Sequence, residues 1–188
     1  MFKQIVAGLE AMTEDIVFFC EHDVIYHPSH FDFTPTSPDY YYYNMNSWMY
    51  RIEDGHALYY DHRSLSGMSC YRKTAIKHFK ERLRKIEELI AEAGDTGIVH
   101  SRSNPENTIP LREGIHRLGF EPGTHNRPER IDMLGCKDYR SQEPNLDIRH
   151  GGNLTKNRWR IDQFRDKSVA KSWKETDDGV PYWGKVVI

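Results

Sequence analysis

Two carboxylates two residues apart, Glu21 and Asp23, stand directly after the apolar run Ile16-Val17-Phe18-Phe19-Cys20 and just before Val24-Ile25. In extended backbone, residues i and i+2 point to the same side. Both carboxylates can then face one divalent cation and the phosphates it carries. Hard cations such as Mg²⁺ or Mn²⁺ take oxygen ligands of this kind. The plainer reading of the same residues is a solvated turn after a strand. His22, His27 and His30 lie close by in sequence, but zinc sites bring sharper spacing and often cysteine. One histidine assisting the carboxylates is therefore favoured over a zinc centre.

A second group lies late in the chain, between Asn145 and Trp159. Asp147 and His150 form an acid and histidine pair suited to a metal ligand and its orienting partner. Gly151 and Gly152 allow tight backbone geometry, and Lys156 and Arg158 suit phosphate oxygens, Arg through its forked donors. A basic surface loop is the alternative for this stretch. Between the two groups, Ser66-Gly67-Met68 precedes a helix, and free amides at such a start attract anions or hydroxyls.

The elements that must position these residues follow from periodicity. The run from Ile16 reads as an interior strand of a covered sheet, because it is apolar on both faces. In open α/β sheets ligands bind at the carboxyl ends of such strands. Phe2, Ile5, Val6, Leu9 and Met12 recur at helical spacing, and only Thr13-Glu14-Asp15 joins that helix to the strand. Tyr40 to Tyr50 and His56 to Tyr60 read as strands joined by a hairpin at Asp54-Gly55, with most of their aromatics in the core. Thr74 to Ala93 is an amphipathic helix with Ile76, Phe79, Leu83, Ile86, Leu89 and Ile90 as its stripe, closed by Gly94. Ile109 to Leu118 reads as a short helix, and the remainder up to Pro144 as loops.

The 188 residues suffice for one domain, 1–188, with a loop-rich C-terminal region from about residue 145. A net charge of -2 gives no general push toward nucleic acid or membrane. The three cysteines are odd in number and widely spaced, which indicates neither a disulfide framework nor a zinc ribbon. Without a signal peptide or a run of membrane-spanning length, the expected setting is cytoplasmic.

Taken together, the strand ending in Glu21-His22-Asp23-Val24, the following Tyr26-His27-Pro28, the Ser66-Gly67-Met68 loop and the late Asp147-Ile148-Arg149-His150 resemble a glycosyltransferase of the GT-A type. The resemblance covers roughly residues 1 to 160. It implies an α/β fold, a mixed sheet flanked by helices. It also implies transfer of a sugar, hexosyltransferase-like, from a nucleotide-diphosphate donor to an acceptor hydroxyl, with Mn²⁺ or Mg²⁺ as cofactor. Carried over, Asp23 is the main metal ligand, Glu21 its companion facing ribose or metal, and His150 the late ligand. Ser66, Gly67, Lys156 and Arg158 join Glu21 around the donor. Glu106, Glu121 and Asp138 are the candidates for a catalytic base if the mechanism inverts. The chain departs from the family in having one helix, and no nucleotide-binding βαβ unit, ahead of the acidic strand. It therefore reads as N-terminally truncated, or completed by a partner chain that supplies the missing half. A modified nucleobase in DNA is a candidate acceptor, since residues 156–174 are rich in Lys and Arg. Competing readings are a metal-dependent hydrolase or nuclease and a non-catalytic binding module that keeps the fold.

Overall fold

The computed structural model describes residues 1–124, 129–153 and 157–186. Its elements begin with helix α1 (Phe2–Ala11), then strands β1 (Ile16–Phe18), β2 (Val24–Ile25), β3 (Tyr40–Asn44), β4 (Ser47–Arg51), β5 (Ala57–Tyr59) and β6 (Met68–Tyr71). Helix α2 (Arg72–Ala93), strands β7 (Ile98–Ser101) and β8 (Asn104–Pro110), helix α3 (Leu111–Arg117) and strands β9 (Gly135–Tyr139), β10 (Asn145–Arg149) and β11 (Lys174–Thr176) follow. The protein is α/β, with a sheet of mixed strand direction. Two compact units divide the chain: residues 1–17, 35–42 and 69–137, and residues 18–34, 43–68 and 138–188.

In the first unit α1 packs on α2, burying Val6 and Leu9 and stacking Phe2 on Phe79 at 6.0 Å. The helical stripe read from the sequence is broader than the face that is buried. Ile90 is 52 % exposed, while His78 and Arg82 are buried beside Ala75, Phe79, Leu89 and Ala93. Both polar side chains make hydrogen bonds, as burial favours. His78 Nδ1 lies 2.6 Å from Asp132 Oδ2, the oxygen that also accepts the Tyr41 hydroxyl at 2.7 Å. Arg82 donates to the carbonyls of Gly119 and Phe120. Gly94, at φ +47°, ends α2 where a side chain would be strained.

Strands β7 and β8 form an antiparallel hairpin whose Val99 joins Leu89, Ala93, Leu118 and Ile131 in a small core. The hairpin falls where loops were expected, because β8 holds Pro105 and Pro110 and is exposed along nearly its whole length, an edge strand with no apolar alternation to betray it. Most residues of β1, β6, β3 and β9 also belong to this unit and form a sheet in that order. Strand β1 stops at Phe18, and only Val17 of it is buried. The expectation of a long interior strand running up to Glu21 is thus corrected.

The second unit is built on a five-stranded sheet in the order β11-β5-β4-β10-β2. Strand β10 runs parallel to β4 and antiparallel to β2, and β4 and β5 make the expected hairpin through Asp54-Gly55. Alternation sorts the side chains of β10. Leu146 and Ile148 enter a core with Trp48, Tyr50, Ala57, Tyr59 and Val180. Asp147 faces the other way, level with Val24 of β2 and Met49 of β4. The stretch that reads as loop from residue 145 therefore begins with a buried strand. Among the described residues no helix is long and apolar enough to cross a membrane.

Candidate functional site

Glu21 and Asp23 lie on a turn between β1 and β2, not along a strand. Val24 donates its amide to the Glu21 carbonyl at 3.4 Å, closing that turn. Tyr26 organises it from within, because its hydroxyl accepts the Glu21 amide at 3.0 Å and donates to the Ser66 carbonyl at 3.0 Å. Same-side presentation by strand alternation is therefore replaced by a turn whose ends are pinned.

The late segment converges on this turn. Ile148 donates its amide to the Asp23 carbonyl at 2.8 Å, and the Asn153 side-chain amide donates to Asp23 Oδ2 at 2.8 Å. Asn153 Oδ1 accepts the His150 amide at 2.6 Å, and the His150 carbonyl accepts from the Asn157 side chain at 3.1 Å. Asp147, 7 % exposed, takes Arg149 Nη2 on Oδ2 at 2.5 Å.

The charges couple. Burial and the neighbouring Asp23 and Asp147 push the Glu21 carboxyl above its ordinary range, against Arg149 and a hydrogen bond from Ser66. Burial likewise pushes Asp147 up, and Asp23 adds to it, while Arg149 and His62 oppose. Tyr60 and His62 complete the surroundings. The Tyr60 hydroxyl lies within reach of the charges of Arg149, Arg158 and Asp147, and the His62 ring within reach of Asp147 and Arg149.

The donor set suits a hard divalent cation. Three carboxylates against one guanidinium leave two negative charges, which such a cation would balance. As placed, the donors do not converge. Among the described residues no group of three or more His, Cys, Asp and Glu side chains could hold a metal ion. Two of the oxygens in question are taken by Asn153 and Arg149.

The remaining sequence-selected residues divide. His150 stands at the site, its Nδ1 accepting the Gly152 amide at 3.0 Å. Arg158 is exposed, its guanidinium 5.4 Å from the Phe164 ring centroid. Lys156 lies outside the described residues. Ser66 and Gly67 are in a buried 3₁₀ turn, not at the helix start. The Gly67 amide is taken by the Ser64 carbonyl at 3.0 Å, and a Cβ there would meet the Asn44 carbonyl oxygen at 3.1 Å. Glu106 and Glu121 belong to the first unit, where Glu106 is exposed on β8 and burial pushes the Glu121 carboxyl up. Asp138 is held by Arg63 through two bonds of 2.7 and 2.8 Å. His22, His27 and His30 do not gather. His27 bonds Ser29, and His30 is enclosed with Asn44 and Asn145.

Sequence reasoning missed Tyr60, His62, Arg149 and Asn153, and took Asp147 only as an acid near His150. The available signal was the period-2 pattern of Asn145 to Arg149, in which Leu146 and Ile148 alternate with polar residues. A cavity of about 220 Å³ in the first unit, lined by Leu89, Arg102, Gly114 and Leu118 among others, contains none of the sequence-selected residues. Compared with protein-family models, curated proteins and solved structures, the chain matches none.

Proposed function

We propose that this chain is a metal-dependent glycosyltransferase, or the catalytic part of one, moving a sugar from a nucleotide-diphosphate donor to an acceptor hydroxyl. The observation that carries the reading is the meeting of two sequence motifs at one acidic residue, one bond to its carboxylate and one to its backbone carbonyl. The early acid Asp23 is gripped by Asn153 and by the amide of Ile148, residues that flank His150. An early acidic pair and a late histidine belong together in such an enzyme, and burial beside like charge gives the acids a use for a cation.

A bound Mn²⁺ or Mg²⁺ would neutralise charge building on the leaving diphosphate, held by Asp23 with Glu21. His150 adds a ring nitrogen, Nε2, on the same segment. Because Nδ1 accepts the Gly152 amide, the neutral ring carries its proton on Nε2 and donates it to a phosphate oxygen; ligation by Nε2 uses the other tautomer. Arg158, and Lys156 two residues before it, add positive charge for phosphate. Exposed Arg160, Arg165, Lys167 and Lys171 continue that character, which keeps a modified nucleobase in DNA as the candidate acceptor.

Release of nucleoside diphosphate from a panel of nucleotide sugars, with Mn²⁺ and with hydroxymethylated duplex DNA as acceptor, tests this. Turnover by the wild type that needs Mn²⁺ and disappears in Asp23→Ala supports the reading. Phosphodiester cleavage without any sugar donor would replace it with a nuclease, and indifference of every readout to Asp23→Ala with a binding module.

A further inference from the structure

Backbone groups set two histidines of the second unit in opposite tautomers. His62 Nδ1 lies 3.0 Å from the Tyr60 carbonyl oxygen. A carbonyl only accepts, so Nδ1 carries the proton and Nε2 keeps its lone pair. His150 Nδ1 instead accepts the Gly152 amide, so its Nε2 is the protonated nitrogen. His62 alone of the two offers a basic nitrogen.

Its surroundings suit proton transfer. His62 is half-buried, and its ring packs against Tyr60 at 4.9 Å between centroids. Tyr60 is itself held edge-on to Phe164 at 4.8 Å and stacked on Trp173 at 5.8 Å. Charged groups facing His62 are Asp147 and Asp61, which favour a proton on the ring, and Arg149, which opposes it. Burial acts in the same sense as Arg149 and keeps the ring neutral before it reacts. Asp138, the sequence-selected candidate base that shares this unit with His62, is bound by Arg63.

We propose that His62 is the general base of the transfer, an assignment that rests on the transferase reading. Nε2 takes the proton of the acceptor hydroxyl while the hydroxyl oxygen bonds to the anomeric carbon. The bond from that carbon to the diphosphate oxygen breaks, and its electron pair leaves with the nucleoside diphosphate. Asp147 stabilises the imidazolium, which then returns its proton to water. A single displacement of this kind inverts the anomeric configuration. His150, whose Nδ1 already accepts the Gly152 amide, serves the phosphates instead.

Three measurements on the full chain test this. Nitrogen-15 NMR of the labelled protein reads the tautomer directly: a protonated Nδ1 and bare Nε2 on His62 are expected, and a proton on Nε2 overturns the assignment. Nucleoside diphosphate release from the nucleotide-sugar panel, with water as acceptor, is compared for wild type, His62→Ala and His62→Gln, each checked for native circular dichroism. The expected result is a fall in kcat of about 100-fold or more, with nucleoside diphosphate affinity changed less than about 3-fold, and partial rescue of His62→Ala by added imidazole. Variants that turn over as fast as wild type overturn the assignment and leave the transferase reading intact. A wild type that binds and turns over no nucleotide sugar overturns both.

Discussion

Asn153 donates its side-chain amide to Oδ2 of Asp23 at 2.8 Å, across 130 residues of sequence. Its carbonyl oxygen holds the His150 amide, so one side chain aligns the early acid and the late histidine. Asn153→Ala removes both bonds at a half-buried, water-accessible position. The expected loss is about 10- to 100-fold in Mn²⁺-dependent nucleotide affinity, the usual effect of removing a group that orients a ligand. Stability should fall by about 1–3 kcal/mol. Calorimetry and urea unfolding read the two effects separately.

Arg149 compensates a nearly buried charge, and its removal strands Asp147. Breaking such a pair costs about 3–5 kcal/mol. The sign of the pH dependence follows from Asp147, whose folded carboxyl is already raised by burial and rises further without Arg149. A carboxyl raised in the folded state favours folding when protonated, so stability lost by Arg149→Ala at pH 7 returns as pH falls toward the ordinary carboxylate range. Urea unfolding at pH 7 and pH 5 measures this. A deficit that is constant or deeper at the lower pH contradicts the ion pairing described.

His30 provides a pH response of the opposite sense. Asn44 and Asn145 both donate to its Nδ1, at 2.9 and 3.1 Å, and the ring has no exposed surface. Burial lowers its proton affinity to about 4, below the value of about 6.5 in an unfolded chain. Protonation therefore favours unfolding, and this contribution to stability is lost as pH falls from 6.5 and levels off below about 4. An NMR titration should find the ring neutral at pH 5; a midpoint near 6.5 would show that the ring is solvated.

Gly67 permits the close approach of Asn44, whose carbonyl oxygen would lie 3.1 Å from an added Cβ. The obstacle is backbone and cannot swing aside. Gly67→Ala should cost about 1–3 kcal/mol by overpacking, seen as a lowered thermal midpoint. No change would mean that the Ser64 to Gly67 turn is looser than it stands.

What was legible in the sequence had local causes. Helices α1 and α2 announce themselves by apolar spacing, and the buried Tyr41, Tyr42, Tyr43, Tyr50 and Tyr59 by their strand-forming type. The concentration of acids at Glu21 and Asp23 was legible too. Its geometry was not, because the turn depends on the Tyr26 hydroxyl reaching Ser66, 40 residues on. Asp147 escaped notice as a strand residue because a buried acid contradicts burial by hydrophobicity until Arg149 is seen beside it. Nothing local marks His62, whose chemistry arises only when β10 brings Asp147 and Arg149 near it.

The central claim is that Asp23 anchors a metal-dependent nucleotide site. Calorimetric binding of a panel of nucleoside diphosphates, with and without Mn²⁺, to wild type and to Asp23→Ala tests it most directly. The account predicts that at least one diphosphate binds the wild type only with Mn²⁺ and that Asp23→Ala, still folded, loses this binding. Nucleotide binding that ignores both Mn²⁺ and the substitution, or no binding by either folded protein, would contradict it.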